Sequence, residues 1–332
     1  MIRALISTGD PAGIGPEVSI KAVSELIEQD FEFIPVLVGD KSVIFKIIEC
    51  LKIEKQILPW RFQADPGKIF FVDTGIIRTR KFPEGRDDEL TGKASFKYFE
   101  KAWDMLQKDL GDCIITAPIS KKSWNMAGIS YSGHTEALSS FSKEKTYMLM
   151  AAGKLRVLLA TMHIPIKKIW KYLTVESLFL STRTTAEFIT RSFRIKNVRI
   201  AFCGFNPHAG ESGILGTEEK TIIEPVIVRL NKQGFHASGP YPSDSLFRDV
   251  LKDDSYDLIV SMYHDQALPV LKTLFFKKLV NITVNSSGWI RTSPGHGTAF
   301  DIAWKNKADA SSMKQAIKTA IELTKRKRWT RF

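Results

Sequence analysis

Cysteine is scarce in this sequence. Only Cys50, Cys113 and Cys203 occur among 332 residues, and no two of them have C-x-x-C spacing. An odd number of widely separated thiols argues against a disulfide framework and against a zinc site made of cysteines. The cysteine content therefore indicates a reducing compartment.

Long apolar runs are also missing. The opening MIRALISTGDPAG has an apolar stretch far too short for a secretory signal. No run approaches the roughly 20 residues that a membrane-spanning helix needs. Internal repeats and low-complexity segments are absent as well. The hydrophobic content of 44% and the charged content of 25% are those of an ordinary globular protein. We therefore expect a cytoplasmic protein.

The charge balance is basic, with a formal net charge of +12 and a dense cluster at residues 325–328 and Arg331. Such a balance can serve nucleic acid, an anionic membrane or a phosphorylated small molecule. Neither an RNA-recognition aromatic pattern nor zinc-finger spacing is present. The excess is therefore interpreted as a solvated surface or as attraction for anionic substrates. A nucleic-acid-binding protein with a structural metal is the alternative from another class, and only the charge supports it.

Short apolar runs alternate with helical segments along the whole chain. Strands are predicted at 2–7, 33–38, 68–73, 113–116, 156–161, 198–203, 258–262 and 280–284, the last clear one. Helices are predicted at about 16–29, 41–51, 90–109, from 133 onward, and at 175–193. This alternation indicates a mostly parallel α/β sheet, and the length allows two domains.

A glycine-rich loop, TGDPAGIGPE, spans residues 8–17 between the first predicted strand and helix. Pro16 suits the first turn of that helix. The loop is neither G-x-G-x-x-G nor G-x-x-x-x-G-K-[ST]. It is either an anion site at a helix N-terminus or a tight turn.

Three of the six histidines stand shortly after predicted strands, in LLATMH, IAFCGFNPH and LIVSMYH. These are His163, His208 and His264. If the strands are parallel in one sheet, the imidazoles can converge at its carboxyl edge, where α/β proteins bind ligands. Three neutral imidazoles form a catalytic metal site with open positions, best suited to Zn²⁺ and open to Co²⁺, Mn²⁺ or Mg²⁺. The other interpretation is that each is a hydrogen-bonded structural histidine.

Further polar groups follow strands or begin helices. Lys121 lies just beyond the strand at 113–116, and the pair His134 and Thr135 begins a helix, where amides can hold a phosphate. Lys272, Asn281 and Arg291 could bind a phosphate or carboxylate, or form surface salt bridges. The run 293–309, SPGHGTAFDIAWKNKAD, either lies close to a nucleotide or caps the helix that follows.

On these motifs the sequence resembles the 4-hydroxythreonine-4-phosphate dehydrogenase family of pyridoxal phosphate biosynthesis. The shared motifs are GDPAGIGPE, TAPISK, GHTE, ATMHIP, CGFNPHAGESG, GPYPSDSLF, MYHDQALPVLK, VNIT and IRTSPGHGTAFDIA. They cover nearly the whole chain, and NPHAGE with YHDQALPVLK is highly specific. Isopropylmalate and isocitrate dehydrogenases have a related first loop and a similar cofactor loop. The resemblance therefore implies an isocitrate/isopropylmalate dehydrogenase-like α/β/α sandwich with two subdomains, 1–130 plus 292–332 and 131–291, and an active-site cleft between them.

The resemblance also implies residue roles. It places one divalent metal (Zn, Mg or Co) on His163, His208 and His264, and NAD or NADP on the cofactor loop. The substrate contacts fall on His134, Thr135, Lys272, Asn281 and Arg291. The cofactor contacts are taken as Gly295, His296, Thr298 and Asp301. Candidates for proton transfer, or for orienting a ligand, are Lys121, Asp244 and Asp265. An obligate homodimer with the active site shared across its interface is implied as well.

The implied reaction is metal-assisted oxidation of 4-phosphooxy-L-threonine at C3 by NAD, followed by decarboxylation to 3-amino-2-oxopropyl phosphate. The alternative is a sibling enzyme acting on 4-phosphorylated threonate or erythronate, or on a cis-dihydrodiol. Lys272 and Arg291 disfavour the dihydrodiol. The chain departs from the family at VNSSGWIRTS, which is about one residue longer and carries the bulky Trp289. This departure bears on substrate identity more than on reaction type.

Overall fold

A computed structural model describes residues 1–61, 67–79 and 81–328, so Arg331 of the basic cluster lies outside the described part. The chain divides into two compact units. The terminal unit comprises Met1–Ser142 and Trp289–Phe332, and the central unit comprises Lys143–Gly288. The edges proposed from the sequence, residues 130 and 291, lie before Ser142 and after Gly288.

The described residues form twelve strands and eleven α-helices. The strands are β1 Arg3–Ser7, β2 Ile34–Gly39, β3 Ile57–Pro59, β4 Ile69–Asp73, β5 Cys113–Thr116, β6 Tyr147–Ala152, β7 Leu155–Leu159, β8 Arg199–Cys203, β9 His236–Tyr241, β10 Leu258–Ser261, β11 Val280–Val284 and β12 Arg291–Pro294. The helices are α1 Gly15–Glu28, α2 Lys41–Leu51, α3 Glu89–Gln107, α4 Lys121–Met126, α5 His134–Ser142, α6 Ile169–Tyr172, α7 Val175–Phe193, α8 Glu224–Lys232, α9 Ser243–Asp253, α10 His264–Phe275 and α11 Ser311–Arg328.

The terminal unit has its strands in the order β3-β4-β2-β1-β5-β12, with every pair parallel. Its aromatic core lies beside β5 and includes Phe99, Trp103, Trp124 and Trp289. Helix α3, which supplies two of these rings, begins where the Asp88 carboxylate accepts the amides of its first turn. This core fixes the position of α4 and α5 relative to the end of β5.

The glycine-rich loop of the terminal unit is buried throughout residues 8–17. The amide of Asp10 donates to the Pro118 carbonyl at 2.9 Å, and that of Ile14 donates to the Thr298 carbonyl at 2.9 Å. Gly9 has φ +75°, and a Cβ there would lie 2.3 Å from the Pro118 oxygen. Because these amides bond within the protein, the loop is a close-packed turn, and it contacts Thr298 and Trp304.

The central unit has its strands in the order β11-β6-β7-β10-β8-β9. Strand β6 is antiparallel to both β7 and β11. Strand β10 is parallel to β7 on one side and to β8 on the other. The three strands that precede the candidate metal ligands are therefore adjacent and parallel, and their carboxyl ends share one edge.

The mostly parallel α/β architecture is confirmed, and α2, α7, β5 and β11 have the predicted bounds. Strands β3, β6, β9 and β12 were not predicted, and β11 is not the last strand because β12 follows it. These segments read ILP, YMLMAA, HASGPY and RTSP. The last three have little β-branched or aromatic content, which weakens the strand signal. Tertiary pairing makes them strands. No helix among the described residues is long and apolar enough to span a membrane.

Candidate active site

Two of the three candidate metal ligands approach each other at the carboxyl edge of the central unit. The ring centres of His163, beyond β7, and His264, at the start of α10, are 5.7 Å apart. The Nδ1 atom of His264 lies 2.8 Å from Oδ1 of Asp265. A carboxylate on one ring nitrogen fixes the tautomer and leaves Nε2 for a ligand.

His208 follows β8 in a turn of unusual conformation. The five residues from His208 to Ser212 all have positive φ, from 42° to 79°. Four of them carry a Cβ, and left-handed backbone costs roughly 1–2 kcal/mol for each such residue. A strained segment persists only when its surroundings hold it, and such segments concentrate at functional sites. The carboxylate of Glu219, a residue that the sequence interpretation did not single out, supports this turn.

The fit of these residues to a metal can be judged from their donors. The imidazoles of His163 and His264 are close enough to share one ion with metal–nitrogen bonds of about 2.0–2.1 Å. In the described part of the chain, no three His, Cys, Asp or Glu side chains are gathered in a metal-binding arrangement. The structure thus brings His163 and His264 together and places His208 on the neighbouring strand end.

In the terminal unit, His134 begins α5 and is enclosed by aromatic rings. Its ring centre lies 4.8 Å from that of Phe99 and 5.4 Å from that of Trp124. Burial, and then the charge of Arg291, hold the pKa of His134 well below its usual value of 6.5. The buried Nε2 atom has no hydrogen-bond partner among the described residues. A neutral imidazole with an unsatisfied buried nitrogen is suited to a bound ligand.

Arg291 begins β12 and is only 2% exposed. Its Nε and Nη2 atoms donate to Oγ1 of Thr116 at 3.1 and 2.5 Å. Arg291 pairs with Ile114 in the parallel ladder, so its side chain can extend along β5 to the strand's last residue. Burial lowers the pKa of Arg291 to about 9. An anion beside the guanidinium would counter that shift by favouring the charged form.

The remaining predicted substrate and catalytic residues divide between the units. Lys121 is exposed at the start of α4, and its charge helps to lower the pKa of Glu136 after the hydrogen bonds from Ser132. Lys121 thus lies near the N-terminal turn of α5, which also contains His134 and Thr135.

The other predicted substrate and catalytic residues lie in the central unit. Lys272 is exposed on α10, and Asp244 is exposed in the first turn of α9. Asn281, on β11, has a buried Oδ1 atom without a hydrogen-bond partner among the described residues. Asp265 contacts His264 and orients it. The structure therefore places Asp265 beside a candidate ligand.

The predicted cofactor residues lie on one loop of the terminal unit. The amide of Gly295 donates to the Ser312 hydroxyl at 3.1 Å, and the Thr298 carbonyl accepts from the first glycine loop. His296 contacts the Gly297 carbonyl through Nδ1 at 3.1 Å. Asp301 is exposed, and a carboxylate in this position can accept bonds from ribose hydroxyls. The loop is thus anchored at several points and presents polar groups at its surface.

The segment VNSSGWIRTS, where a departure from the family pattern is expected, is held by hydrogen bonds and packing. Trp289 is 9% exposed and contacts Trp103 edge-on, with ring centres 5.2 Å apart. In the central unit, the carboxylate of Glu144 accepts the amides of Ser286 and Ser287 at 3.0 and 3.2 Å. Residues 286–287 are thus tied down by hydrogen bonds, and Trp289 packs in the aromatic core beside α3.

Known proteins match this chain over almost its whole length. A family model described as "Pyridoxal phosphate biosynthetic protein PdxA" matches residues 32–320. The 4-hydroxythreonine-4-phosphate dehydrogenase of Acidithiobacillus ferrooxidans is 35% identical, over 98% of this chain and 97% of that protein. The crystal structure of a 4-hydroxythreonine-4-phosphate dehydrogenase from Klebsiella pneumoniae has a TM-score of 0.84 and 32% identity, covering 97% of this chain and 99% of that one.

A more distant likeness concerns the fold alone. Isocitrate dehydrogenase from Methylococcus capsulatus has a TM-score of 0.50 and 12% identity, covering 99% of this chain and 88% of that chain. The fold and the relatives together define an oxidoreductase with the isocitrate dehydrogenase-like α/β architecture. Within that class, the chain belongs to the pyridoxal phosphate biosynthetic protein PdxA family. The family resemblance read from the sequence is thereby confirmed.

Proposed function

We propose that this protein oxidises 4-phosphooxy-L-threonine at C3 and decarboxylates the product, as an enzyme of pyridoxal phosphate biosynthesis. One hydride passes from C3 to NAD or NADP, the hydroxyl proton is released, and the resulting 3-oxo acid loses CO₂. The organic product is 3-amino-2-oxopropyl phosphate. The observation that carries the proposal is the buried guanidinium of Arg291 at the start of β12, whose charge acts on the half-buried His134 at the start of α5, in a chain of this family.

Arg291 and His134 together are best suited to bind the phosphate. A buried guanidinium with a pKa of about 9 is stabilised by an anion, and the amides at the N-terminus of α5 favour negative charge. The neutral His134 can donate a hydrogen bond without adding a charge. Thr135 lies on the same turn and Lys121 lies close to it. We assign these residues to the phosphate and Lys272 and Asn281 to further substrate contacts.

His163, His208 and His264 would hold one divalent metal, because neutral imidazoles suit Zn²⁺ and Co²⁺ and two of them are already close together. A metal bound there would supply a Lewis acid for the substrate oxygen. Asp265 orients His264 through Nδ1. Asp244 stays a candidate for proton transfer, as does Lys121. Gly295, His296, Thr298 and Asp301 would contact the cofactor.

A homodimer with a shared active site is part of the proposal. Two of the three segments that carry a candidate metal ligand also expose large apolar side chains. Ile166 and Trp170 follow His163 and are 72% and 57% exposed, and Ile214 follows His208 and is 80% exposed. Large apolar side chains this exposed, next to candidate ligands, support an interaction surface there. The scarcity of cysteine, with no C-x-x-C spacing, supports a cytoplasmic location.

The test is NADH formation at 340 nm from 4-phosphooxythreonine, with chelator-stripped protein and added Zn²⁺, Co²⁺ or Mg²⁺. We expect metal-dependent NADH with CO₂ release, lost in His208→Ala. The same assay with 4-phosphoerythronate or threonate 4-phosphate tests the sibling activity, which the longer VNSSGWIRTS segment keeps open. Activity on a cis-dihydrodiol alone would contradict the assignment of Arg291 to a phosphate. The absence of NADH formation with all these substrates would exclude the proposed dehydrogenase reaction.

A further inference from the structure

The turn that carries His208 is built against one buried carboxylate. Glu219 is 3% exposed. Its Oε1 atom accepts the amides of Phe205 at 2.8 Å and Asn206 at 2.7 Å. Its Oε2 atom accepts from the side-chain amide of Asn206 at 3.0 Å. Three donors therefore converge on Glu219 from the two residues that precede the Pro207–His208 step.

The electrostatics agree with a permanently charged group at this position. Burial alone would raise the pKa of Glu219, but the hydrogen bonds from Asn206 and Phe205 outweigh burial and lower the pKa. A carboxylate that accepts several amide bonds is held in its ionised form. Glu219 is thus a fixed acceptor near neutral pH.

The turn also packs directly on this carboxylate. A Cβ built on Gly210 would lie 2.6 Å from Oε2 of Glu219, and Gly210 has φ +79°. Both the space and the backbone conformation therefore require glycine. On the other side, Lys220 donates to the Ser212 carbonyl at 2.5 Å and closes the end of the turn. The left-handed segment is held from its beginning, its middle and its end.

Glu219 itself begins a π-helical turn, Glu219–Ile223, that continues into α8. Such turns are rare and are frequently found at functional sites. The wider turn changes the direction of the side chains at its start relative to those on α8. Two unusual backbone segments, the left-handed turn and the π-helical turn, thus meet at this one carboxylate.

We propose that Glu219 is a positioning residue that holds His208 in place as a metal ligand. This inference rests on the proposed function, because it takes His208 to be a ligand. Glu219 has no direct role at the metal. It sets the backbone from which His208 projects, and its loss leaves His163 and His264 with a third ligand that is free to move.

The experiment is a Co²⁺ titration of the full-length, chelator-stripped protein, followed by absorbance and calorimetry. Loss of a residue that orients a ligand typically lowers metal affinity about 10–100-fold, and we expect this for Glu219→Ala. The matched control is Glu224→Ala, an exposed carboxylate at the start of α8, which should bind Co²⁺ as the wild type does. Melting temperatures and far-UV circular dichroism identify variants that fail to fold.

The decisive comparison is the double variant. If Glu219 acts through His208, then Glu219→Ala combined with His208→Ala binds Co²⁺ no more weakly than His208→Ala alone. Losses that multiply in the double variant would overturn the proposal, since they would show an effect independent of His208. Wild-type affinity in a folded Glu219→Ala variant would overturn it as well. If the wild-type protein itself bound no Co²⁺, the proposed metal site would be the idea that failed.

Two milder variants guard against misfolding. Glu219→Gln keeps an oxygen for the amides of Phe205 and Asn206 but sets an NH₂ group against the Asn206 side-chain amide, so an intermediate loss of affinity is expected. Gly210→Ala keeps the Glu219 side chain but forces the turn and the carboxylate apart, and it should reproduce the loss seen in Glu219→Ala. Wild-type affinity in folded Gly210→Ala would contradict the idea that the turn geometry sets the ligand.

Discussion

The imidazoles of His163 and His264 lie with their ring centres 5.7 Å apart and their planes inclined by 44°, although 100 residues separate them along the chain. They meet because β7 and β10 are adjacent and parallel. We expect His264→Gln to lower Co²⁺ affinity at least tenfold, since it removes a nitrogen from this pair. His236→Gln is the control, because His236 begins β9 at the opposite end of the strands. Equal Co²⁺ affinities in the two variants would exclude His264 as a ligand.

The depressed pKa of Arg291 predicts how phosphate binding depends on pH. The pKa of about 9 means that the guanidinium is charged at pH 7–8 and loses its proton as the pH rises through 9. Anion binding requires the charged form. Phosphate affinity should therefore be flat from pH 7 to 8 and fall above pH 9, approaching tenfold per pH unit. Calorimetric titration of the substrate's phosphate-bearing product measures this, and a flat profile to pH 10.5 would contradict it.

The lowered pKa of Arg291 also predicts how the stability of the fold changes with pH. Above pH 9 and below the much higher ordinary pKa of arginine, the unfolded chain binds the Arg291 proton and the folded chain does not. Stability therefore gains from this group as the pH rises through that window. Arg291→Met should remove that gain in urea unfolding measured at pH 8 and pH 10.

Thr116 orients the guanidinium of Arg291 through two hydrogen bonds. Hydrogen bonds to charged groups contribute about 1.5–3 kcal/mol, so Thr116→Val should raise the KM for the phosphorylated substrate about tenfold or more. Thr116→Ser keeps the hydroxyl and should restore most of the binding. Thr292→Val is the matched control, because that buried threonine donates to the Ala316 carbonyl instead. A KM increase of the same size in Thr292→Val would point to general loosening of β5 and β12.

Tyr98 and Asp40 form a buried contact that should matter for stability rather than for catalysis. The Tyr98 hydroxyl donates to Oδ2 of Asp40 at 2.7 Å, and burial followed by the Asp40 charge raises the pKa of Tyr98 well above 10. Tyr98→Phe should lower the free energy of unfolding by about 1–3 kcal/mol, as measured by urea titration. Tyr131→Phe removes a more exposed hydroxyl and should change it by less than about 0.5 kcal/mol. Similar decreases in the free energy of unfolding in both variants would show that the hydrogen bond to Asp40 contributes no more than an exposed one.

The three thiols should differ in reactivity. Cys50 is exposed, whereas Cys113 and Cys203 are buried, and burial raises the pKa of Cys203 to about 12. Because the thiolate is the reactive form, iodoacetamide at pH 8 should modify Cys50 alone in the folded protein and all three after denaturation. Mass spectrometry of the peptides checks this. Rapid native labelling of Cys203 would contradict the burial of the end of β8.

Local patterns determined much of the fold. The β-branched, apolar segments of β5 and β11 and the periodic segments of α2 and α7 were predicted to the residue, because local burial pattern and propensity agree there. The placement of His163, His208 and His264 after three strands was visible in the sequence too. Family motifs added the roles of residues such as His134 and Arg291, which composition and spacing had left open.

The tertiary structure decided features of the fold that local sequence patterns do not encode. Strand β12 begins with a charged residue, and it is a strand because β5 offers it a parallel partner. The local sequence does not distinguish Glu219 from Glu218. The hydrogen-bond donors beside the His208 turn decide which of the two carboxylates is buried. The sequence by itself therefore determined the class of protein and the candidate ligands. The pairing of distant strands, and the groups buried by it, decided which side chains hold those ligands in place.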